Sequence, residues 1–324
     1  MLRIATFNVE NLDLPPKAQL SIAARAEVLR PVLERLDADI LCLQEVNGQH
    51  VPGRPERVLA ALDQLLAGTR YATYERAATT AASGSGVADV HNLVTLSRAP
   101  IVSKREVRHA LLPAADVTLV TAEPRPQAKQ AATFDRPLLV TEHETGGKRL
   151  TVVNLHLRAP LAASVPGQKA SAFLWKSVGG WAEGFYLSGL KRSGQALELR
   201  LLVDQLLDAE PQRLIAVAGD FNAEDHETPL KIAVGAPEDT GNAELTAKAL
   251  VVLDRALDSD RRWSVLHHGR PQMLDHILAS RALYGAFRGI DVHNEALGDE
   301  AVAFGKHAPA AGSYHAAVVA AFAL

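Results

Sequence analysis

The sequence predicts a mixed α/β sandwich, and three observations support this. Eight short apolar runs recur along the 324 residues, and several are apolar on both faces, as in strands covered on both sides. Segments with helical spacing lie early and late in the chain, while strand-like runs fill its middle, which differs from a strict strand–helix alternation. Because no low-complexity linker and no internal repeat interrupts the sequence, we expect one domain over residues 1–324.

The predicted strands follow the apolar runs in chain order. The N-terminal sequence MLRIATFNVENL lacks the separate charged, apolar and cleavage regions of a signal peptide, so it is interpreted as the first strand, beginning at Leu2. The eight runs are Leu2 to Phe7, Asp39 to Leu43, Asn92 to Leu96, Leu138 to Val140, Leu150 to Leu157, Leu214 to Ala218, Met273 to Leu278 and Ala316 to Phe322.

Three segments have apolar residues at the three- and four-residue spacing of an amphipathic helix. The first is Ile22 to Leu36, in which Pro31 is expected to kink or restart the helix. The second is Gln195 to Leu207, and the third is Ala243 to Leu257.

An aromatic-rich insertion is expected near residues 158–193. It holds five aromatic side chains and several glycines in a chain that is only 5% aromatic. The aromatic residues are Phe173, Trp175, Trp181, Phe185 and Tyr186. Such a connection is a lid, a binding loop or an interface in many proteins, and a local satellite core is the alternative interpretation.

Composition excludes several classes of protein. The chain is 48% hydrophobic and 22% charged, which excludes a disordered chain, and its single cysteine, Cys42, excludes a disulfide scaffold and a multi-cysteine metal site. The net charge of −3 argues against non-specific binding of duplex nucleic acid but leaves room for a local basic groove. With no run of about eighteen apolar residues and no signal peptide, we expect a cytoplasmic protein without a membrane span; the oligomeric state stays open.

The motif GDFN, Gly219 to Asn222, supplies the first candidates for chemistry. It follows an apolar strand, so Asp220 lies at the carboxyl end, where α/β sheets place ligands and catalytic groups. Asp220 can accept a proton from water or bind a cation, and Asn222 can hold an oxyanion through its amide group.

Two further motifs place oxygen ligands just after predicted strands. TFN supplies Asn8, and LQEV supplies Glu45. One carboxylate with one carboxamide suits Mg²⁺, which keeps most of its waters and takes few protein ligands.

Histidines and a buried carboxylate follow later in the chain. In NLHL, Asn154 and His156 share one strand face. In LDHIL, Asp275 needs a partner because a buried carboxylate is costly alone, whereas His276 points to the opposite face and is interpreted as structural. An Asp275–His315 pair would fix the tautomer of the imidazole and raise its pKa.

Taken together, these motifs resemble those of the endonuclease/exonuclease/phosphatase superfamily, the DNase I-like fold. The matching elements, in order, are TFN, LQEV, LVTLSRAPI, NLHL, GDFN, LDHIL and a terminal S-x-H-x-x-V, and they span essentially the whole chain. The resemblance implies a four-layer α/β sandwich, in which two mixed β-sheets pack face to face with helices outside. It also implies hydrolysis of phosphate esters that depends on Mg²⁺ or Mn²⁺.

The resemblance also implies a role for each candidate. Glu45 and Asn8 would bind the metal, Asp220 would orient or deprotonate the attacking water, and Asn222 would assist the transition state. His315, oriented by Asp275, would contact the scissile phosphate, and His156 resembles the second catalytic histidine of DNase-type members. The residues expected on the substrate side are Arg136, Asn154 and Tyr314.

Tyr314 departs from the family pattern, which usually ends in Ser-Asp-His. A phenol with a pKa of about 10 is a poor Mg²⁺ ligand at neutral pH, so its presence should weaken cation binding. The tyrosine could instead stack on a substrate ring or donate its hydroxyl to a phosphate oxygen.

The sequence therefore predicts a metal-dependent phosphodiesterase that acts by in-line attack of water. A nuclease acting on DNA or RNA is one alternative, and it would require a basic groove flanking the site. Candidates for that groove are Arg98, Lys104, Arg105, Arg108, Lys191 and Arg192. A small-molecule or lipid phosphodiesterase would use the aromatic segment as a pocket wall. The last alternative is a catalytically weakened binding module on the same scaffold, for which Tyr314 is the only support.

Overall fold

Two six-stranded mixed sheets form the centre of the molecule in a computed structural model that describes residues 1–305 and 311–324. The strands are β1 (Leu2–Leu12), β2 (Ile40–Val46), β3 (Glu75–Ala78), β4 (Asn92–Ser97), β5 (Ile101–Val107), β6 (Ala115–Val117), β7 (Gln130–Ala132), β8 (Leu138–Thr145), β9 (Lys148–His156), β10 (Leu214–Asp220), β11 (Val251–Val252), β12 (Val265–His267), β13 (Arg270–Gln272), β14 (Asp275–Ala279), β15 (Phe287–Val292) and β16 (Val318–Phe322). The α-helices are α1 (Ile22–Leu36), α2 (Ala60–Leu66), α3 (Val178–Ala209), α4 (Thr228–Val234), α5 (Arg281–Tyr284) and α6 (Glu300–Gly305).

Each sheet combines parallel and antiparallel neighbours. The strand order is β15-β16-β1-β2-β4-β3 in the first sheet and β11-β14-β10-β9-β8-β5 in the second, and two small two-stranded sheets pair β6 with β7 and β12 with β13. The parallel pairs are β1 with β2 and β9 with β10, whereas β14 runs antiparallel to β10. All eight predicted strands are confirmed, most with ends shifted by a few residues.

The alternation of side chains along each strand builds the layers. In β1, Ala5 and Phe7 pack under α1, while Ile4 points to the other face and joins Val152 of β9 and Ala216 of β10 between the sheets. On the far side of the second sheet, Val153 and its outward neighbours pack under α3. The order is therefore helix, sheet, sheet, helix, and the predicted four-layer α/β sandwich is confirmed.

The predicted helices have different outcomes. Ile22 to Leu36 is a helix with those bounds, its first turn capped by the Ser21 side chain, and it continues through Pro31 without interruption. Gln195 to Leu207 lies within the longer α3. The helix expected over Ala243 to Leu257 is wrong: two 3₁₀ turns flank β11, because Val251 and Val252 pair with β14 at the sheet edge and that pairing overrides the local apolar spacing.

Within the described residues, no helix combines the length and the apolar character that crossing a membrane requires.

The sheet register brings four motifs to one edge of the sandwich. Asp220 at the end of β10 lies opposite His156 at the end of β9 and opposite Asp275 at the start of β14. Asn8, in the second half of β1, faces them from the other sheet. The apolar layer between the sheets thus ends in a cluster of polar side chains.

Candidate functional site

Asp220 lies at the centre of this cluster and is buried. Its Oδ1 accepts a hydrogen bond from the backbone N–H of Asn222 (2.8 Å), and its Oδ2 accepts from the side-chain amides of Asn8 (3.1 Å) and Asn222 (3.2 Å). Burial, reinforced by the negative charge of Asp275, raises the pKa of Asp220 to about 7. The carboxylate is therefore held in place by donors and is a stronger base than an exposed aspartate.

Asn8 joins two carboxylates from the two sheets. Its Nδ2 donates to Glu45 Oε1 (3.2 Å) as well as to Asp220, while its Oδ1 accepts from the backbone N–H of Glu10 (2.9 Å). In this orientation Asn8 donates to the carboxylates, so the amide would have to rotate to offer its oxygen to a cation. Glu45 is oriented further by the backbone N–H of Asn11, which donates to Oε2 (3.0 Å).

Asp275 and His315 form a close pair beside Asp220. His315 Nδ1 lies 2.8 Å from Asp275 Oδ2, and Ser264 Oγ donates to the same oxygen (2.8 Å). Burial disfavours a charged imidazole, but the Asp275 and Asp220 carboxylates outweigh it and raise the pKa of His315 well above its ordinary value. His315 is thus an imidazolium whose orientation is set by Asp275.

His156 approaches Asp220 from β9. Its Nε2 lies 3.3 Å from Asp220 Oδ2 and 3.9 Å from Glu45 Oε1. Burial, together with the positive charge of Arg136, lowers the pKa of His156 well below its ordinary value, so the ring is neutral. Its buried Nδ1 has no hydrogen-bond partner within residues 1–305 and 311–324.

Arg136 lies against the back of the same cluster. Its guanidinium donates to the backbone carbonyls of His156 (3.2 Å) and Leu157 (3.4 Å), and its Nη2 lies 3.1 Å from Nδ1 of His91. These contacts hold the end of β9 in place. The expectation that Arg136 also touches phosphate stays a prediction.

Asn154 does not reach the site, and the expectation of a substrate contact requires correction. It is buried between the sheets, where its Oδ1 accepts from Gln44 Nε2 (2.8 Å) and its Nδ2 donates to the carbonyls of Leu43 (3.3 Å) and Val94 (3.1 Å). It lies one same-face step deeper than His156, so the alternation of the strand keeps it beneath the site.

Tyr314 contributes its backbone to the cluster. Its N–H donates to Glu10 Oε2 (2.8 Å), whereas its ring lies beside Gly298 and lines a cavity of about 330 Å³ next to α1. A contact of the ring with substrate stays a prediction.

Two side chains that the sequence analysis did not single out also lie at the site. Glu10 stands two residues after Asn8, and burial raises its pKa. His91 precedes β4, and its ring centroid lies 6.3 Å from that of His156. Glu10 could have been predicted from TFNVEN, because residues two apart on a strand share a face and Glu10 follows Asn8 by two. His91 could have been predicted from its position just before a strand.

Carboxylates are concentrated where a cation would bind. Glu45 and Asp220 converge on one amide nitrogen, and Asp220, Asp275 and His315 each bring one ligand atom within 4.8 Å of the others. A hard cation prefers oxygen ligands, and Glu45 is less buried than Asp275, so the Glu45–Asp220 side is the better candidate for a metal site.

Part of the aromatic segment packs on a satellite core, and a role as a lid, binding loop or interface stays a prediction. Its second half is the start of α3, and Trp175 packs beside a satellite core made of Leu119, Ala122, Val165 and Leu187. Other rings of the segment, including Trp181, are exposed.

Comparisons with known proteins agree with this architecture. The chain has the same fold as an endonuclease/exonuclease/phosphatase family protein from Leptotrichia buccalis (14% identity, TM-score 0.55, all of both chains covered). It is also similar to D. rerio TDP2 complexed with a single-strand DNA product (16%, 0.54, 100% of this chain and 99% of that chain) and to an AP endonuclease from Archaeoglobus fulgidus (17%, 0.51, all of both chains).

A comparison with curated proteins finds no match. The family model for the endonuclease/exonuclease/phosphatase family matches residues 5–315. The match runs from the first strand of this chain to His315, the histidine that pairs with Asp275, and the chain belongs to the endonuclease/exonuclease/phosphatase family.

Proposed function

We propose that this protein is a divalent-metal-dependent phosphodiesterase that hydrolyses its substrate by direct in-line attack of water. The observation that carries the proposal is the position of Asp220, a buried base at a strand end that lies beside the Asp275–His315 pair. No side chain is required to form a covalent intermediate, because Asp220 can activate water and charged groups surround the same point.

The proposed metal ligands are Glu45 and Asn8, with Asp220 close to them. Burial, followed by the negative charge of Asp275, raises the pKa of Asp220, and a bound cation would favour the charged form of this carboxylate. A bound Mg²⁺ or Mn²⁺ would polarise a phosphoryl oxygen and lower the pKa of a coordinated water. Glu10, whose carboxylate lies nearby, adds a negative charge to a site in which Tyr314 replaces the usual aspartate.

Proton transfer is assigned to Asp220. The two side-chain amides that donate to its Oδ2 leave the carboxylate fixed, so a water placed against it would be oriented as well as deprotonated. Asn222 is held by its own donation to the Leu157 carbonyl (3.1 Å), which fixes its amide group beside the reacting centre.

Stabilisation of the negative charge on the phosphate is assigned to His315. As an imidazolium, this side chain attracts the non-bridging oxygens. Neutral His156 lies beside Asp220 and is proposed to donate a hydrogen bond from Nε2 to the leaving oxygen, which departs as an oxyanion and takes its proton from water. Preorganised groups of this kind typically contribute about 10²–10³ in rate each.

A diester is favoured over a monoester on electrostatic grounds. Glu45 and Asp220 accept hydrogen bonds from one Asn8 amide, Asp275 lies beside Asp220, and the charge of Glu10 interacts with that of Glu45. Arg25 is engaged by the Val9 and Glu10 carbonyls. A phosphodiester brings one negative charge to this acidic cluster, whereas a monoester dianion brings two.

The test is turnover of bis(p-nitrophenyl) phosphate at varied Mg²⁺ and Mn²⁺ concentrations. We expect metal-dependent hydrolysis by the native chain and a loss of at least about 10²-fold in Asp220→Asn. The matched control is Asp225→Asn, an aspartate five residues away that pairs with Arg255 at the surface and should leave the rate unchanged. Native turnover no faster than that of Asp220→Asn would refute the enzyme and favour a binding module.

A further inference from the structure

The first turns of α3 present an unusual apolar face to solvent. Val178, Trp181, Phe185 and Tyr186, here called the aromatic stripe, follow one another at helical spacing on the outer side of the helix. Their exposed fractions include 81% for Val178, 45% for Trp181 and 63% for Tyr186. The rings of Trp181 and Phe185 stack with their centroids 5.4 Å apart. Exposed rings in consecutive turns are typical of a binding surface.

The orientation of the stripe is imposed by the opposite side of the helix. Gly180 and Gly184 face inward, where an added Cβ would lie 2.5 Å from Gln168 Oε1 and 2.2 Å from the Ala163 carbonyl oxygen. The same part of α3 buries Leu187 in the satellite core. Because larger residues cannot turn inward here, the rings are fixed outward and form a rigid platform.

The segment that carries the stripe is basic within an acidic protein. Residues 158–193 contain five basic residues and one acidic residue, a net charge of +4, whereas the whole chain has −3. The one acidic residue, Glu183, is engaged by the backbone N–H groups of Val120 (2.6 Å) and Thr121 (2.8 Å). The basic residues are Arg158, Lys169, Lys176, Lys191 and Arg192. Arg158 and Lys191 pair with Asp135 (2.9 and 3.1 Å) and Arg192 is buried, so Lys169 and Lys176 carry the positive charge that no carboxylate pairs within the described residues.

Both ends of this segment meet the candidate site. It leaves from Leu157, whose carbonyl accepts from Asn222 Nδ2, and returns at Arg192, whose guanidinium donates to the Asn222 carbonyl. At about 1.5 Å per residue, Tyr186 lies about 9 Å and Val178 about 21 Å along the helix from Arg192. A flexible polymer with one phosphate in the site would therefore reach the stripe within a few repeating units.

We propose that the aromatic stripe binds the bases of a single-stranded nucleic acid whose scissile phosphate occupies the site around Asp220. This inference rests on the proposed function. The stripe offers exposed rings for base stacking, and Lys176, exposed two residues before Val178, adds positive charge at its start. Single strands are held without sequence readout by such stacking combined with positive charge. A membrane surface is the less favoured occupant, because the apolar residues of the rest of α3, such as Leu199 and Leu202, are buried against the second sheet and leave only a short apolar face exposed.

The test measures binding separately from cleavage. Fluorescein-labelled oligo(dT) of 4 and 16 nucleotides is titrated by anisotropy into the Asp220→Asn chain, with and without Trp181→Ala and Tyr186→Ala together. Each lost stack should weaken binding of the 16-mer by roughly 5- to 150-fold, and the 4-mer should be affected less. Tyr284→Ala is the matched control, since this exposed tyrosine stacks on Phe287 beyond the opposite end of β14.

The remaining outcomes are equally decisive. Unchanged binding of the 16-mer in the double variant would overturn the proposal. Binding to phosphatidylserine vesicles is measured in parallel, and a double variant that loses vesicle binding but keeps binding of the 16-mer would also overturn it. In the catalytically intact background, the double variant should hydrolyse bis(p-nitrophenyl) phosphate at the native rate. If the native chain fails to hydrolyse that ester, the proposed function fails, while the anisotropy titration still decides whether the stripe binds single strands.

Discussion

The Asp275–His315 pair offers a double-mutant test of the proposed chemistry. His315 Nδ1 and Asp275 Oδ2 are 2.8 Å apart, and Asp275 is buried. Asp275→Asn preserves the size of the side chain but removes the charge that raises the pKa of His315 and orients its ring. His315→Ala removes the imidazolium itself.

The structure sets the expected magnitudes. Loss of an orienting partner typically costs about 10–100-fold, so that is the effect expected for Asp275→Asn. Loss of a preorganised charge costs about 10²–10³, which is the effect expected for His315→Ala. If Asp275 acts only through His315, the double variant should be no slower than His315→Ala, a coupling of about 1.4–2.7 kcal/mol.

The assay is kcat/KM for an aryl phosphodiester at saturating metal, with urea unfolding to measure the stability of each variant. Strand β14 supplies a matched control, because the next residue, His276, forms its own pair with Asp254 (2.9 Å) on the other face. Asp254→Asn should lower the free energy of unfolding by about 1.5–3 kcal/mol, and kcat/KM of the folded enzyme should stay within about threefold.

Two results would refute the reasoning about this pair. Losses that multiply to about 10³–10⁵ in the double variant would show that Asp275 and His315 act independently. Equal losses of kcat/KM in Asp254→Asn and Asp275→Asn would show that any disturbance of β14 slows the reaction, with no specific role for the pair at the site.

Three further predictions test the metal site, the core and the pH dependence of stability. Glu45→Gln should lower the rate at fixed Mg²⁺ by about 10²-fold, with partial recovery as Mg²⁺ is raised; an unchanged metal titration would remove Glu45 from the site. Gly219→Ala would place a Cβ 2.0 Å from the Leu155 carbonyl oxygen in β9, so urea unfolding should show a loss of about 1–3 kcal/mol or more, and native-like stability would contradict this close approach. Burial opposes the charge of His276, but Asp254 outweighs it and raises the His276 pKa, whereas the unfolded chain titrates near 6.5. The stabilisation from this charge is therefore complete below about pH 6.5 and is lost as the pH rises through the folded pKa. In urea unfolding, the free energy of unfolding of the native chain should fall over that range, and His276→Asn should lack this part of the fall. Parallel pH profiles for the two proteins would contradict the prediction.

Local sequence was sufficient to predict the strands but not every strand end. The apolar run Leu214 to Ala218 predicted β10, and Asp220 is its last residue. The same pattern misplaced two strand ends, because β1 continues past Asn8 to Leu12 and β2 continues past Glu45 to Val46. The capped helix α1 was also predictable, since its apolar spacing and Ser21 act within a few residues.

Contacts between distant segments decided what the local pattern left open. The segment Ala243 to Leu257 has helical spacing, yet it contributes an edge strand because Val251 and Val252 meet β14. The same strand gives Asp275 and His276 opposite surroundings, and only the placement of Asp254 and His315 determines which histidine each aspartate holds.

The sequence by itself determined which residues could carry chemistry, and the tertiary structure decided which of them meet. Asn154 and His156 share a strand face, but pairing between the sheets buries Asn154 against Gln44 and leaves His156 beside Asp220. A period of two identifies a face without saying how deep each position lies. Depth depends on where the opposing sheet ends, and that is set by packing between segments more than a hundred residues apart.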